Sequence, residues 1–153
     1  MKNRITYFLI WFCILSYAQE LEFVNTGDMI VSKEAVLSTR GSFFNQSGKF
    51  INNGLLRFHA DFINDADFKF EEESQAVLWA YSENNLTSFI TGNTSLKTKE
   101  FIQDVASDLN LLNDLYIQTH LELLAGKIVN RDSGNILFLD RYADYYQFDN
   151  LTY

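Results

Sequence analysis

The sequence feature that most constrains the fold is a short phrase, Phe-x-Asn, that recurs along the chain. With fourteen Phe and fourteen Asn among 153 residues, a random order would produce only one or two such spacings. Five are present: Phe23-Val24-Asn25, Phe43-Phe44-Asn45, Phe50-Ile51-Asn52, Phe62-Ile63-Asn64 and Phe148-Asp149-Asn150. Asn25, Asn45 and Asn64 are 20 and 19 residues apart, and the aliphatic version Ile128-Val129-Asn130 precedes Asn150 by 20. A period of this length indicates a repeat architecture.

The chemistry of the phrase suits a strand that ends at a corner. Residues two apart in a strand share a face, so Phe and Asn point to the same side. Phe supplies apolar area to an interior, and Asn tolerates the left-handed backbone of a corner. In stacked β-coils, successive Asn side chains form an amide ladder that satisfies buried polar groups. We therefore predict an all-β fold, a small parallel β-helix or β-solenoid with rungs of roughly twenty residues. The predicted ladder residues are Asn25, Asn45, Asn64, Asn130 and Asn150, with the paired Phe side chains as core.

An antiparallel β-sandwich is the alternative fold. The residues that follow the phrases have turn chemistry, and Asn53-Gly54 between two apolar pairs is typical of a type I′ hairpin. A sandwich whose turns favour Asn and Gly would produce part of the same pattern.

The second half of the chain also predicts short strands, because apolar residues alternate there with a period of two. The alternating pairs are Leu109-x-Leu111, Leu115-x-Ile117, Leu121-x-Leu123 and Ile136-x-Phe138. A helix over residues 101–124 is the alternative interpretation, although Thr98-x-x-Phe101 offers no capping box. No linker rich in Pro, Gly or Ser divides the chain, so residues 19–153 are predicted to form one β-repeat domain.

The N-terminus has the organisation of a secretory signal peptide. Lys2 and Arg4 precede the apolar run Ile5–Leu15, which would rise only about 16 Å as a helix, too short for a bilayer core of about 30 Å. Ser16-Tyr17-Ala18 places small residues at the −3 and −1 positions of a cleavage site. We predict that residues 1–18 are removed after Ala18. The mature chain would then be secreted or displayed on the outer cell surface, and would not span a membrane.

The charge of the chain excludes several classes of partner. The formal net charge is −8, and removal of Lys2 and Arg4 with the signal peptide makes it −10. Nucleic acids and anionic membranes require clustered Lys and Arg, so we expect neither as a partner. The single cysteine, Cys13, lies within the predicted signal peptide, so the mature chain has no thiol for a disulfide or a metal site.

Several segments resemble the N-terminal repeat region of large surface proteins, adhesin-like in character, of bacteria that use type IX secretion. The segments are Phe-Val-Asn-Thr-Gly-Asp from Phe23, Gly-Lys-Phe-Ile-Asn-Asn-Gly from Gly48, Ala-Asp-Phe-Ile-Asn-Asp from Ala60, and Leu109–Ile128. The resemblance implies a right-handed β-helix-like scaffold and an extracellular or outer-surface location. Members of this group usually end in a sorting domain, and nothing after Ile128 resembles one. Because the closing segment Phe148–Tyr153 looks like the start of a further copy, we expect the β-repeat domain to be truncated at its C-terminal end.

No residue pattern in the chain predicts catalysis, a cofactor or a metal site. His59 and His120 are the two histidines, and neither stands at zinc-ligand spacing from a further ligand. The nucleophile-elbow, phosphate-loop and dinucleotide motifs are absent. Asp140 and Asp144 could in principle serve glycoside hydrolysis, but a spacing of four means little among twenty acidic residues. We therefore expect no enzymatic activity.

Two turns are rich in the oxygen ligands that Ca²⁺ prefers, Asn64–Asp67 and Asn130–Asn135. Neither matches the twelve-residue helical-hand loop or the nonapeptide calcium roll. Turn formation by Asx residues explains both segments better than calcium binding does.

Trp79 and Tyr81 lie two apart and so share a strand face. Packing as core or capping aromatics is the simpler interpretation of these rings, and contact with a ligand is the alternative. Flat aromatic rings on a rigid sheet can stack on sugars. We predict a secreted or cell-surface structural, adhesin-like β-solenoid without catalytic activity; the alternative is a carbohydrate-binding module that uses Trp79 and Tyr81. The expected partners are surface glycans or other surface proteins, together with self-association through the open ends of the solenoid, where strand edges are unpaired.

Overall fold

A computed structural model describes residues 22–82, 87–130, 137–140 and 144–147. Within these ranges the chain forms sixteen β-strands and no helix. The strands are β1 (Phe23–Asn25), β2 (Met29–Val31), β3 (Val36–Ser38), β4 (Phe43–Asn45), β5 (Lys49–Asn52), β6 (Leu55–Phe58), β7 (Phe62–Asn64), β8 (Asp67–Lys69), β9 (Val77–Ser82), β10 (Ser88–Thr91), β11 (Leu96–Val105), β12 (Leu109–Leu111), β13 (Leu115–Ala125), β14 (Ile128–Asn130), β15 (Leu137–Leu139) and β16 (Asp144–Gln147).

The strands stack into three sheets, and the chain is a parallel β-solenoid. The first sheet has the order β1-β4-β7-β10-β12-β14 and the second the order β2-β5-β8. The third has the order β3-β6-β9-β11-β13-β15, with β16 also paired to β13. All pairings among the described strands are parallel. The predicted solenoid is confirmed, and the antiparallel sandwich is wrong.

Register in the first sheet sets the length of each rung. Phe23 pairs with Phe43, and Phe43 pairs with Phe62. The Asn residues that end these three strands stand in the same register, and their spacings along the chain are 20 and 19. The predicted rung of about twenty residues is therefore present in this part of the solenoid.

The next rung is longer. Asp61 and Phe89, which a hydrogen bond joins across it, are separated by 28 positions of the sequence. An exposed turn at Glu71–Glu73, between β8 and β9, contributes to the extra length. The spacing then returns to 21 between Gly92 and Asn113. One long rung thus explains why the period of about twenty is blurred in the middle of the sequence.

The cross-section of the solenoid changes after the third rung. Each of the first three rungs contributes one strand to each sheet, whereas the fourth and fifth contribute a short strand to the first sheet and a long one to the third. The long strands β11 and β13 have 10 and 11 residues. They occupy most of the segment for which a helix was the alternative, and Leu109, Leu111, Leu115 and Ile117 are buried as the period of two predicts.

Aromatic rings form two stacks along the interior. Phe43 stacks between Phe23 and Phe62, with ring centroids 5.2 and 4.9 Å apart. Phe50 stacks on Phe68 at 5.2 Å. Burying a side chain of this size stabilises a fold by roughly 1.5–3 kcal/mol, so each added ring strengthens the attachment of one rung to the next.

A ladder of Asn side chains runs beside the first aromatic stack. Asn25 donates from Nδ2 to Oδ1 of Asn45 at 2.9 Å, and Asn45 donates in the same way to Asn64 at 2.8 Å. Asn45 and Asn64 have no accessible surface, and Asn25 is also buried. The predicted ladder is confirmed at these three positions.

The ladder stops at Gly92. Thr91 pairs with Ile63, which puts Gly92 above Asn64. Asn64 Nδ2 therefore donates to the backbone carbonyl of Thr94 instead, at 3.0 Å. Asn113 Nδ2, from the following rung, donates to the same carbonyl at 2.8 Å. The Thr94 carbonyl thus accepts hydrogen bonds from the Asn of the rung below and from the Asn of the rung above, and no amide joins the two.

Asn130 is not a member of the ladder, so this prediction was wrong. It pairs with Leu111, two residues before Asn113, and its side chain is exposed. The register of β14 is displaced by two residues relative to the Phe-x-Asn phrases. The same side of the strand still faces inward, but Asn130 stands in line with the Phe residues that begin those phrases and not with the Asn residues that end them. Asn150 of the predicted ladder lies outside the described residues, as does Phe148.

Asn53-Gly54 is a corner between two sheets and not a hairpin. The strands on either side of it, β5 and β6, belong to the second and third sheets. A Cβ atom on Gly54 would lie 2.5 Å from the carbonyl oxygen of Ser32, which explains the glycine. Asn53 accepts the backbone N–H of Glu71 through Oδ1 at 2.9 Å. The corner is thus shaped by tight stacking of successive rungs.

No described segment forms an apolar helix of membrane-spanning length. The predicted signal peptide lies outside the described residues, so cleavage after Ala18 stays a prediction.

Candidate functional site

The outer face of the third sheet carries the two aromatic residues that the sequence singles out. Along β9, Leu78 and Ala80 point inward and are fully buried, while Trp79 and Tyr81 alternate with them and are half-buried. The prediction that Trp79 and Tyr81 share a strand face is confirmed.

Arg57 lies on the strand next to these rings and contacts both of them. It pairs with Trp79 across β6 and β9. Its Cζ atom is 4.7 Å from the centroid of the Trp79 ring and 3.7 Å from that of Tyr81. A guanidinium at these distances is attracted by the ring quadrupoles, an interaction worth about 0.5–1 kcal/mol at exposed sites and more when desolvated. Sequence reasoning missed Arg57, because its proximity depends on the register between two rungs, which no short motif encodes.

The rings do not form a flat platform. The planes of Trp79 and Tyr81 are inclined by 82°, with centroids 6.3 Å apart. His59 contacts the Tyr81 ring edge-on, with a centroid distance of 5.7 Å. Because Arg57 already covers ring surface, a sugar that stacks centrally on Tyr81 would have to displace the guanidinium.

The outward side chains of the third sheet form a column in which charge changes sign. Arg57 pairs with Trp79, Trp79 with Ile102, and Ile102 with Glu122. We call Arg57, Trp79, Ile102 and Glu122 the central column. Flanking it, Asp104 pairs with Tyr81. Around the central column, the rungs nearer the C-terminus therefore present carboxylates, and the rungs nearer the N-terminus present aromatic rings and a guanidinium.

One polar atom of this face is left without a partner among the described residues. Trp79 Nε1 is inaccessible to solvent and has no hydrogen-bond acceptor there. A buried unpaired donor costs about 1–3 kcal/mol, which the ring contacts of Trp79 with Arg57 and Tyr81 offset in part.

The residues considered for metal binding or hydrolysis are not brought together. His59 contacts Tyr81, whereas His120 lies on β13 in register with Asp144. Among the described residues no group of three His, Cys, Asp or Glu side chains could hold a metal ion. Asp140 lines a surface cavity of about 380 Å³, where the other described lining residues are aromatic, aliphatic, neutral polar or lysine.

The first Asx-rich turn uses its oxygens for contacts within the protein. Asp65 Oδ1 accepts from the backbone N–H of Asn93 at 3.0 Å and from its Nδ2 at 2.9 Å. Asp67 forms an ion pair with Lys69 at 2.7 Å, and Asn64 belongs to the ladder. These contacts favour the interpretation as a turn. Residues 131–135 of the second candidate lie outside the described residues.

No model of a known protein family, no curated protein and no solved structure matches this chain. Its function is therefore inferred from the geometry of the described residues.

Proposed function

We propose that the chain is a structural, adhesin-like β-solenoid, secreted or displayed on the outer cell surface, without catalytic activity. The observation that carries the proposal is the continuous axial interior, in which the Asn25–Asn45–Asn64 ladder and the Phe23–Phe43–Phe62 stack join rung to rung. Each rung contacts mainly its neighbours, which suits an extended scaffold whose outer faces are free to carry contacts. The signal-peptide pattern at residues 1–18 and the resemblance to surface proteins of bacteria using type IX secretion support the location.

The location is tested by expressing the full tagged chain in a Gram-negative host, followed by fractionation and surface proteolysis. We expect to find the protein outside the cytoplasm, and its intact mass should be that of a chain whose first residue is Gln19. The variant Ile10→Lys, which interrupts the apolar run, should stay inside the cell. Cytoplasmic protein that retains Met1 would contradict the proposal.

Carbohydrate binding through Trp79 and Tyr81 is the second candidate function. It is favoured by the outward orientation of both rings on one strand. Outside the predicted signal peptide Trp79 is the only tryptophan, so its intrinsic fluorescence reports on this face alone. A glycan array should identify a ligand that the wild type binds, with an affinity measured by fluorescence titration, and the array signal should be lost in Trp79→Ala. Phe44→Ala, an outward aromatic on the first sheet, is the matched control. Binding that survives Trp79→Ala would reject this candidate.

Contact with other surface proteins, or end-to-end self-association, is part of the same proposal. The lowest strands β1, β2 and β3 pair on one side only within the described residues. Val24, Ile30 and Val36 on these strands are 46, 61 and 64% exposed. Stacking of solenoid ends would be heterologous and open, so it predicts a ladder of oligomers and not a single species.

A further inference from the structure

We propose that the outer face of the third sheet is a self-complementary interface for a second copy of this chain. The inference goes beyond the scaffold function, and it rests on the order of side chains in the central column. From lower to upper rung, that order is cationic, aromatic, aliphatic and anionic: Arg57, Trp79, Ile102 and Glu122.

This order is complementary to itself when the column is inverted. In a two-fold interface the same patch meets itself, so that residue i contacts j and j contacts i. A two-fold axis parallel to the strands, midway between the levels of Trp79 and Ile102, places Arg57 opposite Glu122 of the second copy. It also places Trp79 opposite Ile102 of the second copy. The apolar pair is then central and the two ion pairs lie at the rim, which is the usual distribution in protein interfaces.

The flanking column supports the same arrangement. Tyr81 and Asp104 are strand partners at the same two levels, so the axis brings the Tyr81 hydroxyl opposite the Asp104 carboxylate of the second copy. The other face-to-face arrangement, with the axis along the solenoid, would instead set Arg57 against Arg57 and Glu122 against Glu122. Like charges disfavour that register, which selects antiparallel solenoids.

The size of the face predicts a weak dimer. Strands about 4.8 Å apart and about 3.3 Å per residue give four rungs of six residues an area of roughly 400 Å² per copy. Standard stable interfaces bury about 800 Å² per partner. On the other side of the central column, Glu100 is the strand partner of Val77. The two-fold axis places Glu100 opposite Val77 of the second copy, and desolvation of the Glu100 carboxylate weakens the contact further. We therefore expect a reversible dimer that is populated only at concentrations on the order of hundreds of micromolar.

The test uses two charge reversals, Arg57→Glu and Glu122→Arg, studied separately and mixed. Each variant alone faces like charges across the two-fold axis, so sedimentation velocity from about 10 µM to about 1 mM should show monomer. In an equimolar mixture the introduced glutamate of one variant faces the introduced arginine of the other. The native Glu122 of the first then faces the native Arg57 of the second. The mixture should recover a dimer with an affinity close to that of the wild type.

Lys49→Glu and Asp28→Arg, at exposed positions where the chain passes from the first sheet to the second, are the matched charge controls and should dimerise as the wild type does. Recovery in the mixture also shows that both variants are folded. A wild-type chain that is monomeric throughout, dimers that persist in the single variants, or a mixture that stays monomeric would each overturn the proposal. An open series of oligomers would indicate end-to-end stacking and would overturn it as well.

Discussion

The side-chain amide of Asn45 donates to Oδ1 of Asn64 at 2.8 Å, although the two lie 19 positions apart in the chain. Neither side chain has accessible surface, so water cannot replace the bond. An amide left unpaired in such an interior costs about 1–3 kcal/mol, more than the net worth of the bond itself. The ladder therefore stabilises the stacking of rungs and also penalises any other register between them.

Replacing Asn45 by Ala should destabilise the fold more than most single substitutions. The change removes the acceptor of Asn25 Nδ2, which keeps only a 3.5 Å contact with the Ser47 carbonyl, and it removes the donor to Asn64 Oδ1. We expect the free energy of unfolding to fall by about 2–5 kcal/mol, measured by urea denaturation. Gln46→Ala removes the neighbouring amide, which is exposed, and should change that free energy by no more than about 0.5 kcal/mol. Equal losses in the two variants would contradict the ladder as described.

Phe62→Ala tests the aromatic stack. Phe62 is fully buried and its ring lies 4.9 Å from that of Phe43, so truncation leaves a cavity between rungs. The expected loss is about 3–5 kcal/mol in the free energy of unfolding. Phe44→Ala removes the same number of atoms from an outward, half-buried position and should cost only about 1 kcal/mol. A loss for Phe62 as small as that for Phe44 would argue against the inward assignment.

The first three rungs could be predicted from the sequence because their repeat phrases fall into one register. Phe and Asn at positions i and i+2 face inward together in β4 and β7, as the period of two requires. The nearly constant spacing of Asn25, Asn45 and Asn64 then places each Asn beneath the next. Local chemistry and long-range stacking agree there, so the phrase alone was sufficient.

The later rungs and the outer face could not be predicted in the same way. Asn130 ends an aliphatic version of the phrase but stands in line with the Phe residues of the other rungs. A two-residue shift of register leaves the same side chains facing inward, so the alternation of apolar and polar residues does not reveal it. Arg57 is remote from Trp79 in sequence, and only the register between β6 and β9 brings them together. Gly92 ends the ladder because it has no side-chain amide, and the positive φ that requires glycine there is set by stacking on Asn64 and not by the neighbouring sequence.

Gly92→Ala should be strongly destabilising. Gly92 has a φ of +118°, outside the range that side chains with a Cβ readily adopt, and that Cβ would lie 2.6 Å from the backbone nitrogen of Asn64. We expect a loss of at least about 2 kcal/mol in the free energy of unfolding. Gly27→Ala is the control, because a Cβ there meets nothing within 4 Å; its effect should stay within about 0.5 kcal/mol. Similar effects at the two glycines would contradict the backbone conformation described for Gly92.

Gly92→Asn separates the geometry of the ladder from its sequence pattern. By pattern, Asn at this position would bridge Asn64 and Asn113 and continue the amide ladder, so the substitution should stabilise the protein. The structure predicts the opposite, since Asn tolerates positive φ only in the left-handed helical region, and the backbone of Asn64 occupies the space of a Cβ. The new side chain would also compete with the existing bonds from Asn64 and Asn113 to the Thr94 carbonyl, at 3.0 and 2.8 Å. We expect Gly92→Asn to unfold at a lower urea concentration than the wild type, by about as much as Gly92→Ala. A variant more stable than the wild type would mean that the rung can shift to accept a fourth ladder residue.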